Sequence, residues 1–329
     1  MIHPGKIRVG VLRGGPSSEY DISLKTGATV LTHLPEAYVP VDIFIDRKGL
    51  WHVQGIEQKP HKALARIDVA WNALHGEYGE DGEIQRLLES FGVPYSGSGS
   101  FASALAMQKP LAKEWLRNEG IKTPYHELLN REQCGSVREA AHRLYRSFPQ
   151  PSIVKPAMLG SSHAVSLAKT QRELEHALDD AFRAAERVMV EEYIQGREGS
   201  CAIIDDFREQ AHYALPPVEI RAPAVSPFFD YFAKYSGEST HAVPGNFSRE
   251  EKQALQDMAL RVHRALGLSH YSQSDFIIHP RRGIYFLEVN TLPGLTEHSL
   301  LPKALHAVGA SLAHFLEHII SLALHRKRT

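Results

Sequence analysis

The chain has 329 residues, and at about 150 residues per domain this length predicts two or three compact units. Hydrophobic residues make up 43% of the chain and charged residues 23%, which is typical of a globular protein and excludes collagen-like, coiled-coil and wholly disordered chains. Because 37 basic and 38 acidic side chains leave a formal charge of -1, no overall field draws the protein to nucleic acid or to an anionic membrane.

The first third of the chain alternates strand and helix patterns. Strands are predicted over residues 7–12, 39–45 and 69–74, and helices over 21–34 and 82–91. A glycine turn follows the first strand, as in a βα unit. The alternation predicts a parallel sheet with helices on both faces.

The rest of the chain mixes both patterns. Further strands are predicted over residues 152–156, 188–192, 198–204, 276–279 and 284–289, and further helices over 107–118, 171–185 and 249–266. Residues 312–324 carry apolar side chains at helical spacing but are interrupted by charged and polar ones, which favours an amphipathic helix over a membrane span. The sequence therefore predicts an α/β protein that does not act in a membrane.

Cysteine usage and the N-terminus both point to the cytoplasm. Cys134 and Cys201 lie far apart and have no metal-ligand spacing, which indicates neither a disulfide framework nor a zinc site. The first residues lack the charged, apolar and small-residue regions of a signal peptide. We expect a cytoplasmic protein.

Residues with suitable chemistry for a metal site lie late in the chain. Asp275, Glu288 and Asn290 fall on two predicted neighbouring strands, and the alternation of side chains along a strand can aim all three at one face. Carboxylate and amide oxygens are the hard ligands that suit Mg²⁺. The alternative interpretation is a polar strand end with solvated carboxylates.

Two further segments suggest a nucleotide site. Lys155 ends a strand and precedes a loop of small residues whose backbone N–H groups can approach phosphate. The spacing is not that of a Walker A loop, and the glycines near the N-terminus are not a Rossmann fingerprint. Residues 191–194 offer backbone groups for adenine and a carboxylate for ribose, although an ordinary edge strand would have the same sequence.

Taken together, these motifs resemble the ATP-grasp superfamily and, within it, the D-alanine–D-alanine ligase family. They occur in family order from residue 6 to about residue 310, so the resemblance covers nearly the whole chain. The matching stretches are residues 14–24, 75–82, 94–107, 155–162, 229–235 and 288–299.

The resemblance implies an α/β ATP-grasp fold with an N-terminal parallel-sheet domain. We expect an N-terminal substrate-binding domain over residues 1–105 and a central ATP-grasp subdomain over 106–187. A C-terminal ATP-grasp subdomain over 188–329 would carry the metal and catalytic residues. ATP would lie between the last two units, and the amino acids where all three meet.

The resemblance also implies the reaction. An ADP-forming carboxylate–amine ligase of this family transfers the γ-phosphate of ATP to one D-alanine, and the amine of a second attacks the acylphosphate. The product, D-alanyl-D-alanine, serves peptidoglycan synthesis, cell wall biogenesis and cell shape. The implied partners are small amino acids and a second copy of the chain in a homodimer, with no nucleic acid and no membrane.

Site roles carry over by motif. The ATP-binding residues would be Lys109, Lys155, Ser162, Glu191, Glu192, Tyr193, Ile194, Glu198 and Lys234. Two Mg²⁺ or Mn²⁺ ions would be held by Asp275, Glu288 and Asn290. The substrate-binding residues would be Glu19, Ile22, His75, Ser299 and Leu300, and the catalytic set would be Glu19, Ser161, Tyr235, Gln273 and Gly294.

Two of these residues have plain structural alternatives. Tyr235 would join Glu19 and Ser161 in a hydrogen-bonded triad that holds a lid, residues 229–235, over the site, but by residue type alone it would be a packed aromatic side chain. His75 fits equally well as a hydrogen-bonded polar group at the end of a strand.

Gln273 is the main departure from the family pattern. The family normally has arginine two positions before the metal-binding aspartate, where its charge would stabilise the acylphosphate and the tetrahedral intermediate. Loss of a cationic donor at a developing oxyanion costs on the order of 10²–10³ in rate. Either another cation substitutes, with Arg197 and Arg221 as candidates, or the reaction is slow, or the substrate differs.

That departure defines the rival functions. One is a carboxylate–amine ligase with another amino acid or a hydroxy acid, and the other is a nucleotide-binding homologue with weakened catalysis. Smaller departures are Gln108, where the family usually has aspartate, and Ala164, where a glycine often occurs. We expect an ordinary backbone conformation at Ala164 because it carries a side chain.

Overall fold

Three β-sheets and the helices that cover them form the computed structural model, which describes residues 5–158, 164–221 and 240–325. The strands are β1 (Ile7–Gly14), β2 (Tyr38–Ile45), β3 (Trp51–Val53), β4 (Ile56–Gln58), β5 (Val69–Asn72), β6 (His126–Asn130), β7 (Ser152–Pro156), β8 (Ser166–Ala168), β9 (Arg187–Glu192), β10 (Arg197–Phe207), β11 (Gln210–Ala214), β12 (Val218–Arg221), β13 (Thr240–Ala242), β14 (Tyr271–His279) and β15 (Gly283–Asn290). The helices are α1 (Tyr20–His33), α2 (Pro60–Leu64), α3 (Glu83–Ser90), α4 (Ser100–Met107), α5 (Lys109–Asn118), α6 (Arg131–Cys134), α7 (Val137–Ser147), α8 (Gln171–Ala184), α9 (Arg249–Ala265), α10 (Leu300–Ala307) and α11 (Leu312–His325).

The first sheet has the strand order β4-β3-β2-β1-β5. Its central strand β1 runs parallel to both β2 and β5, which confirms the predicted parallel arrangement for these three strands. The outer strands β3 and β4 are antiparallel, so the sheet is parallel only among β2, β1 and β5. The reason is the two-residue turn between them, since a parallel crossover needs a dozen or more residues. Gln54 and Gly55 in that turn both have positive φ, which matches a tight hairpin.

The second and third sheets are antiparallel. The second has the order β6-β9-β7-β8, and Leu144 of α7 and Leu174 of α8 pack in its core. The third has the order β13-β12-β10-β14-β15, with β11 also paired to β10. Helix α9 covers the third sheet and begins with a capping box, in which Ser248 and Glu251 each bind the other's backbone N–H group. The capping box sets the first turn of α9.

Gln108 interrupts the helix predicted over residues 107–118. With φ -85° and ψ 83°, it separates α4 from α5. Pro110 explains the break, because proline has no N–H group to continue the hydrogen bonds of α4 but fits the first turn of a new helix. Leu105 and Leu116 from the two helices pack in one core with the third sheet. The break therefore lets α5 start at the edge of that sheet, where Lys109 reaches the site described below.

We expect Gln108→Asp to stabilise the protein. Gln108 stands at the N-cap of α5 without a side-chain hydrogen bond to the helix. A short aspartate side chain can accept from the first free N–H groups of the helix and is worth about 1 kcal/mol there. Urea unfolding measures the effect, and Gln108→Ala, which cannot cap, serves as the control. Equal unfolding free energies for both variants would contradict the capping argument.

Helix α11 joins the first and third sheets. The prediction of an amphipathic helix is confirmed, since Phe315, Leu316 and Ile319 are buried on one face. The Phe315 ring packs edge-on against Trp71 of β5 at 6.2 Å and against Tyr271 of β14 at 5.3 Å between centroids. This aromatic cluster fixes the two sheets relative to each other and so sets the width of the cleft between them.

In the part of the chain that the structure describes, no single helix is long and apolar enough to cross a membrane. Helices α10 and α11 reach that length and composition only as a pair, and they are bent by 103°.

Candidate active site

A cavity of about 430 Å³ opens between the first and third sheets. Its walls come from α1, from the turn after β5, from the end of α4 and start of α5, from β14 and β15, and from the loop into α10. It brings together many predicted site residues: Glu19, Ile22, His75, Lys109, Gln273, Asp275, Glu288, Asn290, Gly294, Ser299 and Leu300. Residues from distant parts of the sequence thus share one cavity of the size of a small-molecule site.

Two carboxylates and an amide face this cavity from neighbouring strands. Asp275 of β14 lies directly opposite Glu288 of β15, and Asn290 lies opposite Gln273. Ser200 Oγ donates to Asp275 Oδ1 at 2.6 Å, and Lys109 Nζ lies 3.5 Å from Glu288 Oε2. Two like charges across a strand pair repel, and a bound cation would relieve this repulsion. The set offers only oxygen ligands and therefore fits Mg²⁺ or Mn²⁺.

Gln273 lines the cavity beside the metal-type ligands and is 8% exposed. The two arginines considered as substitutes for the family's cation are engaged elsewhere. Arg197 binds Glu251 at the start of α9, and Arg221 binds Glu219 at 2.8 Å. Among the described residues no arginine lines the cavity, so the suggestion that either arginine supplies the charge is not supported.

The amino-acid end of the cavity is built around a buried glutamate. Glu19 precedes α1 and is held by a backbone hydrogen bond from its N–H group to Ser17 Oγ at 3.0 Å. Ser17 Oγ donates in turn to the carbonyl of His75 at 2.6 Å. The imidazole ring of His75 is also held, because its Nε2 atom lies 2.8 Å from Thr26 Oγ1. This network holds Glu19 and His75 in place on the wall of the cavity.

Glu80, which was not among the predicted site residues, organises the same region. One carboxylate oxygen accepts from the backbone of Gly76 at 3.1 Å. The other accepts from Thr291 Oγ1 at 3.1 Å and from the backbone of Leu292 at 3.2 Å. Glu80 thereby ties the loop after β15 to the first sheet. Its motif is recognisable in the sequence, but its partners Thr291 and Leu292 lie 211 and 212 positions away.

His75 is surrounded by negative charge. Burial by itself lowers the pKa of this imidazole, but the Glu80 carboxylate, with Nδ1 and Oε1 3.8 Å apart, and the Glu19 carboxylate outweigh burial and raise the pKa. A protonated His75 would offset part of the acidity of the cavity. The histidine is therefore both a hydrogen-bonded strand-end group and a member of the cavity wall, so the two interpretations of the sequence do not exclude each other.

The start of α10 forms the far wall. Ser299 is the N-cap of this helix, and its hydroxyl lies 2.8 Å from Thr296 Oγ1 and makes no hydrogen bond to the helix. The first N–H groups of a helix attract an anion such as a carboxylate. Gly294 lies so close that a Cβ atom there would stand 2.8 Å from Ser299 Oγ. A residue without a side chain is therefore needed at this position if Ser299 is to keep its place.

Three lysine residues lie between this cavity and the second sheet. Lys109 and Lys113 lie one turn apart on α5, and Lys113 is fully buried. The Glu191 carboxylate of β9 binds both Lys113 and Lys155, with 2.5 Å between Lys155 Nζ and Glu191 Oε2. Two ammonium groups share one carboxylate, so the cluster carries excess positive charge. An anionic group such as a phosphate would complete it.

The cluster shifts the pKa values of its members. Burial lowers the pKa of Lys113 to about 8, and the nearby Lys155 ammonium adds to the decrease. Burial opposes ionisation of Glu191, but the two lysines outweigh it and lower the pKa of this carboxyl. The side chain of Glu191 is thus occupied by the two lysines, and its backbone lies in the sheet between β6 and β7. Lys113 was missed in the sequence, although its spacing from Lys109 is a signal.

Stability between pH 8 and pH 10.5 tests the Lys113 assignment. The pKa of Lys113 falls from 10.5 to about 8 on folding, so in this window the unfolded chain binds a proton that the folded chain does not. Stability should therefore rise with pH across the window, by on the order of 3 kcal/mol. Lys113→Met should remove that rise in urea unfolding, whereas Lys62→Met, at an exposed lysine, should keep it. The same rise in both variants would refute the assignment.

The remaining ATP-type residues lie outside the cavity. Glu192 binds Arg282 with 2.6 Å between Oε1 and Nη1, Ile194 is buried, and Glu198 lies on β10 opposite Ile277 and Ile220. Glu192 is the last residue of β9, Ile194 lies between the two strands, and Glu198 is the second residue of β10. The predicted Ser161, Ser162, Lys234 and Tyr235, and the lid over residues 229–235, lie outside the described residues.

Ala164 differs from expectation. Its φ of 55° is in the left-handed region, whereas an ordinary conformation was predicted for a residue with a side chain. A non-glycine residue in this region costs about 1–2 kcal/mol, so the local chain geometry imposes the conformation in spite of the residue type. The backbone shape that suits glycine is therefore kept at this position.

The architecture and the site together agree with an ATP-grasp ligase. Two family models match the chain: "D-ala D-ala ligase C-terminus" over residues 115–321, and "D-ala D-ala ligase N-terminus" over residues 8–63 and 55–98. The chain belongs to the D-alanine–D-alanine ligase family, and it is an ATP-dependent ligase.

Individual relatives agree over nearly their whole length. A D-alanine–D-alanine ligase of Geobacter sulfurreducens is 40% identical over 95% of this chain and 93% of its own. One of Pelotomaculum thermopropionicum is 36% identical over 97% of both chains. These similarities confirm the family that the sequence motifs indicated.

Solved structures confirm the predicted fold class. The VanG D-Ala:D-Ser ligase from Enterococcus faecalis has a TM-score of 0.82 at 28% identity, covering 97% of this chain and 99% of that one. The D-alanine–D-alanine ligase from Bacillus anthracis has a TM-score of 0.79 at 35% identity, covering 97% of each chain.

Proposed function

We propose that this protein joins two D-alanine molecules, at the expense of ATP, to give D-alanyl-D-alanine for peptidoglycan precursors. The observation that supports this most directly is the single cavity in which Glu19, the metal-type ligands and the start of α10 meet. Such a cavity can hold an ammonium group, an activated carboxylate and a second carboxylate at once. These are the groups that the two amino acids present.

Phosphoryl transfer to the first D-alanine would occur beside Asp275, Glu288 and Asn290. When bound there, Mg²⁺ would neutralise phosphate charge and orient the oxygens for in-line transfer. Lys109, which already lies 3.5 Å from Glu288, would bind the phosphates on one side. The excess charge of the Lys113, Lys155 and Glu191 cluster would bind them on the other. These residues position the phosphates and neutralise their charge, which is most of what phosphoryl transfer requires of a protein.

The amino acids would be held by opposite charges at the two ends of the cavity. Glu19 would pair with the ammonium group of the first D-alanine, supported by Ser17 and by the network of His75 and Glu80. Ser299 and the first N–H groups of α10 would receive the carboxylate of the second. The second amine would then face the activated carboxylate, so that one bound pair is converted to the dipeptide with release of phosphate.

We further propose that the protein is a cytoplasmic homodimer. Both described cysteines, Cys134 and Cys201, are free thiols, which agrees with a reducing compartment. ATP and D-alanine are small molecules of that compartment. Light scattering on the purified protein measures its mass in solution, and a monomer mass of 36.7 kDa would contradict the dimer.

The decisive experiment follows ADP release with ATP, Mg²⁺ and D-alanine and identifies the product by mass. D-alanyl-D-alanine formed at one equivalent per ADP is the expected result. D-serine and D-lactate, each mixed with D-alanine, serve as competitors because Gln273 leaves the second substrate open to test. Preferential formation of a mixed product would replace the proposal by a ligase of different specificity. MgATP binding without turnover of any of these substrates would replace it by a non-catalytic nucleotide-binding protein.

A further inference from the structure

Three potential metal ligands meet behind the third sheet, on the side away from the active-site cavity. They are Asp205 of β10, His212 of β11 and His263 of α9, and their ligand atoms all lie within 4.8 Å of one another. Asp205 Oδ1 is 2.8 Å from His212 Nδ1 and 3.0 Å from His263 Nε2. Asp205 and His212 are direct cross-strand neighbours, so the hairpin of β10 and β11 presents two ligands and α9 adds the third. None of the three lines the cavity described above.

A hydrogen-bond network accounts for only part of this cluster. His212 Nδ1 is within hydrogen-bonding distance and geometry of the Asp205 carboxylate. His263 is fully buried, and its Nε2 lies close to the same oxygen but outside hydrogen-bonding geometry, so this nitrogen has no hydrogen-bond partner among the described residues. A buried imidazole nitrogen without such a partner is unfavourable. A ligand that accepts its lone pair would satisfy it.

Two of the ligands are also oriented by a hydrogen bond to their second polar atom, as metal ligands commonly are. His263 Nδ1 lies 2.8 Å from Ser272 Oγ, and a proton on Nδ1 leaves the lone pair on Nε2 pointing into the cluster. The second oxygen of Asp205 accepts from the backbone of His270 at 2.6 Å, which leaves Oδ1 for the cluster. The outer side is open to water, because the side chains of His212 and Asp205 are 26% and 16% exposed.

We propose that Asp205, His212 and His263 form a binding site for one Zn²⁺ ion or a similar transition-metal cation. Two imidazoles and one carboxylate are a ligand set that zinc favours, and water would complete a tetrahedral site. The two nitrogens argue against Mg²⁺, which prefers oxygen ligands. The ion would clamp the β10–β11 hairpin to α9, and Ser272 connects it to the strand that carries Gln273 on its opposite side. Its effect is stabilisation of this unit and not chemistry.

The test is a zinc titration of the full-length protein in excess Mg²⁺, which occupies oxygen sites. We expect one bound Zn²⁺ per chain and an increase in melting temperature on binding. Ser272→Ala removes the hydrogen-bond partner of a ligand and should weaken zinc binding by roughly 10- to 100-fold. His212→Gln removes a ligand itself and should weaken zinc binding by more than that. His212 is the variant of choice because it is partly exposed, and Ser272→Ala keeps all three ligands should His212→Gln fold poorly.

Two variants serve as controls. His52→Gln removes a partly exposed histidine whose Nε2 lies 3.4 Å from Asp46 Oδ2, a matched His–Asp pair for which the described part of the chain offers no third ligand, and should bind zinc like the parent protein. Asp275→Ala removes an active-site ligand and should also retain the zinc. The proposal is overturned if the parent protein binds no Zn²⁺ in excess Mg²⁺, if His212→Gln and Ser272→Ala both bind it unchanged, or if Asp275→Ala abolishes binding.

Discussion

Asp275→Ala and Glu288→Ala should each abolish ATP turnover while leaving the protein folded. Each removes one oxygen ligand from the pair that faces the cavity, and the charge of the transferring phosphoryl group is then left poorly neutralised. We expect kcat to fall by at least about a thousandfold, the upper part of the range for loss of a charge-stabilising group. Steady-state ADP release at several Mg²⁺ concentrations measures the loss.

The stability of the same variants separates a metal role from a structural one. Asp275 and Glu288 face each other across two strands, and in the protein without Mg²⁺ their charges repel. Glu288→Ala relieves this repulsion but loses the ion pair with Lys109, so it should unfold at nearly the same urea concentration as the parent protein. Asp275→Ala loses the hydrogen bond from Ser200 and should be destabilised by about 1 kcal/mol.

Glu127→Ala is a suitable control for both. Glu127 lies on β6, outside the cavity, and binds Arg143 at 2.7 Å at the protein surface. Glu127→Ala removes the same charge from a strand but should leave kcat unchanged. Its stability should also change little, because a surface ion pair of this kind contributes little to stability. Normal Mg²⁺-dependent turnover in both Asp275→Ala and Glu288→Ala would show that these carboxylates do not hold the metal.

The parts of the fold that depend on local sequence could be predicted well. Strand β1, its glycine turn and α1 follow from hydrophobic periodicity and turn residues within some thirty positions, and so does the amphipathic α11. The short hairpin of β3 and β4 was missed because strands of three residues carry almost no periodic signal. The break at Gln108 was missed because apolar periodicity continues through it.

The candidate site was predictable only where its residues form motifs. Asp275, Glu288 and Asn290 could be grouped because their strands are consecutive, but Ser200, the hydrogen-bond partner of Asp275, lies 75 residues before it. Lys113 binds Glu191 across 78 residues, so its role depends on how α5 docks against the second sheet. Tertiary packing decides such contacts, and the spacing of residues in the chain does not reveal them.

Gln273→Arg should raise kcat by about 10- to 100-fold if the chain makes D-alanyl-D-alanine. The glutamine lies on β14 two positions before Asp275, lines the cavity, and can offer only a neutral N–H group to developing negative charge. An arginine there would add a planar cationic donor, and such donors contribute on the order of 10²–10³ in rate at an oxyanion. The neighbouring carboxylates of Asp275 and Glu288 would favour the new charge.

Two matched variants distinguish charge from size at position 273. Gln273→Lys adds a charge without the bidentate geometry and should give a smaller gain, whereas Gln273→Met keeps the length of the side chain, removes the donor and should lower kcat. The kcat and KM of each variant with D-alanine are the measurements, since a transition-state effect changes kcat more than KM. A lower kcat for Gln273→Arg, together with an unchanged kcat for Gln273→Met, would mean that residue 273 takes no part in charge stabilisation. In that case the cations that already line the cavity, above all Lys109, must neutralise the intermediate without it.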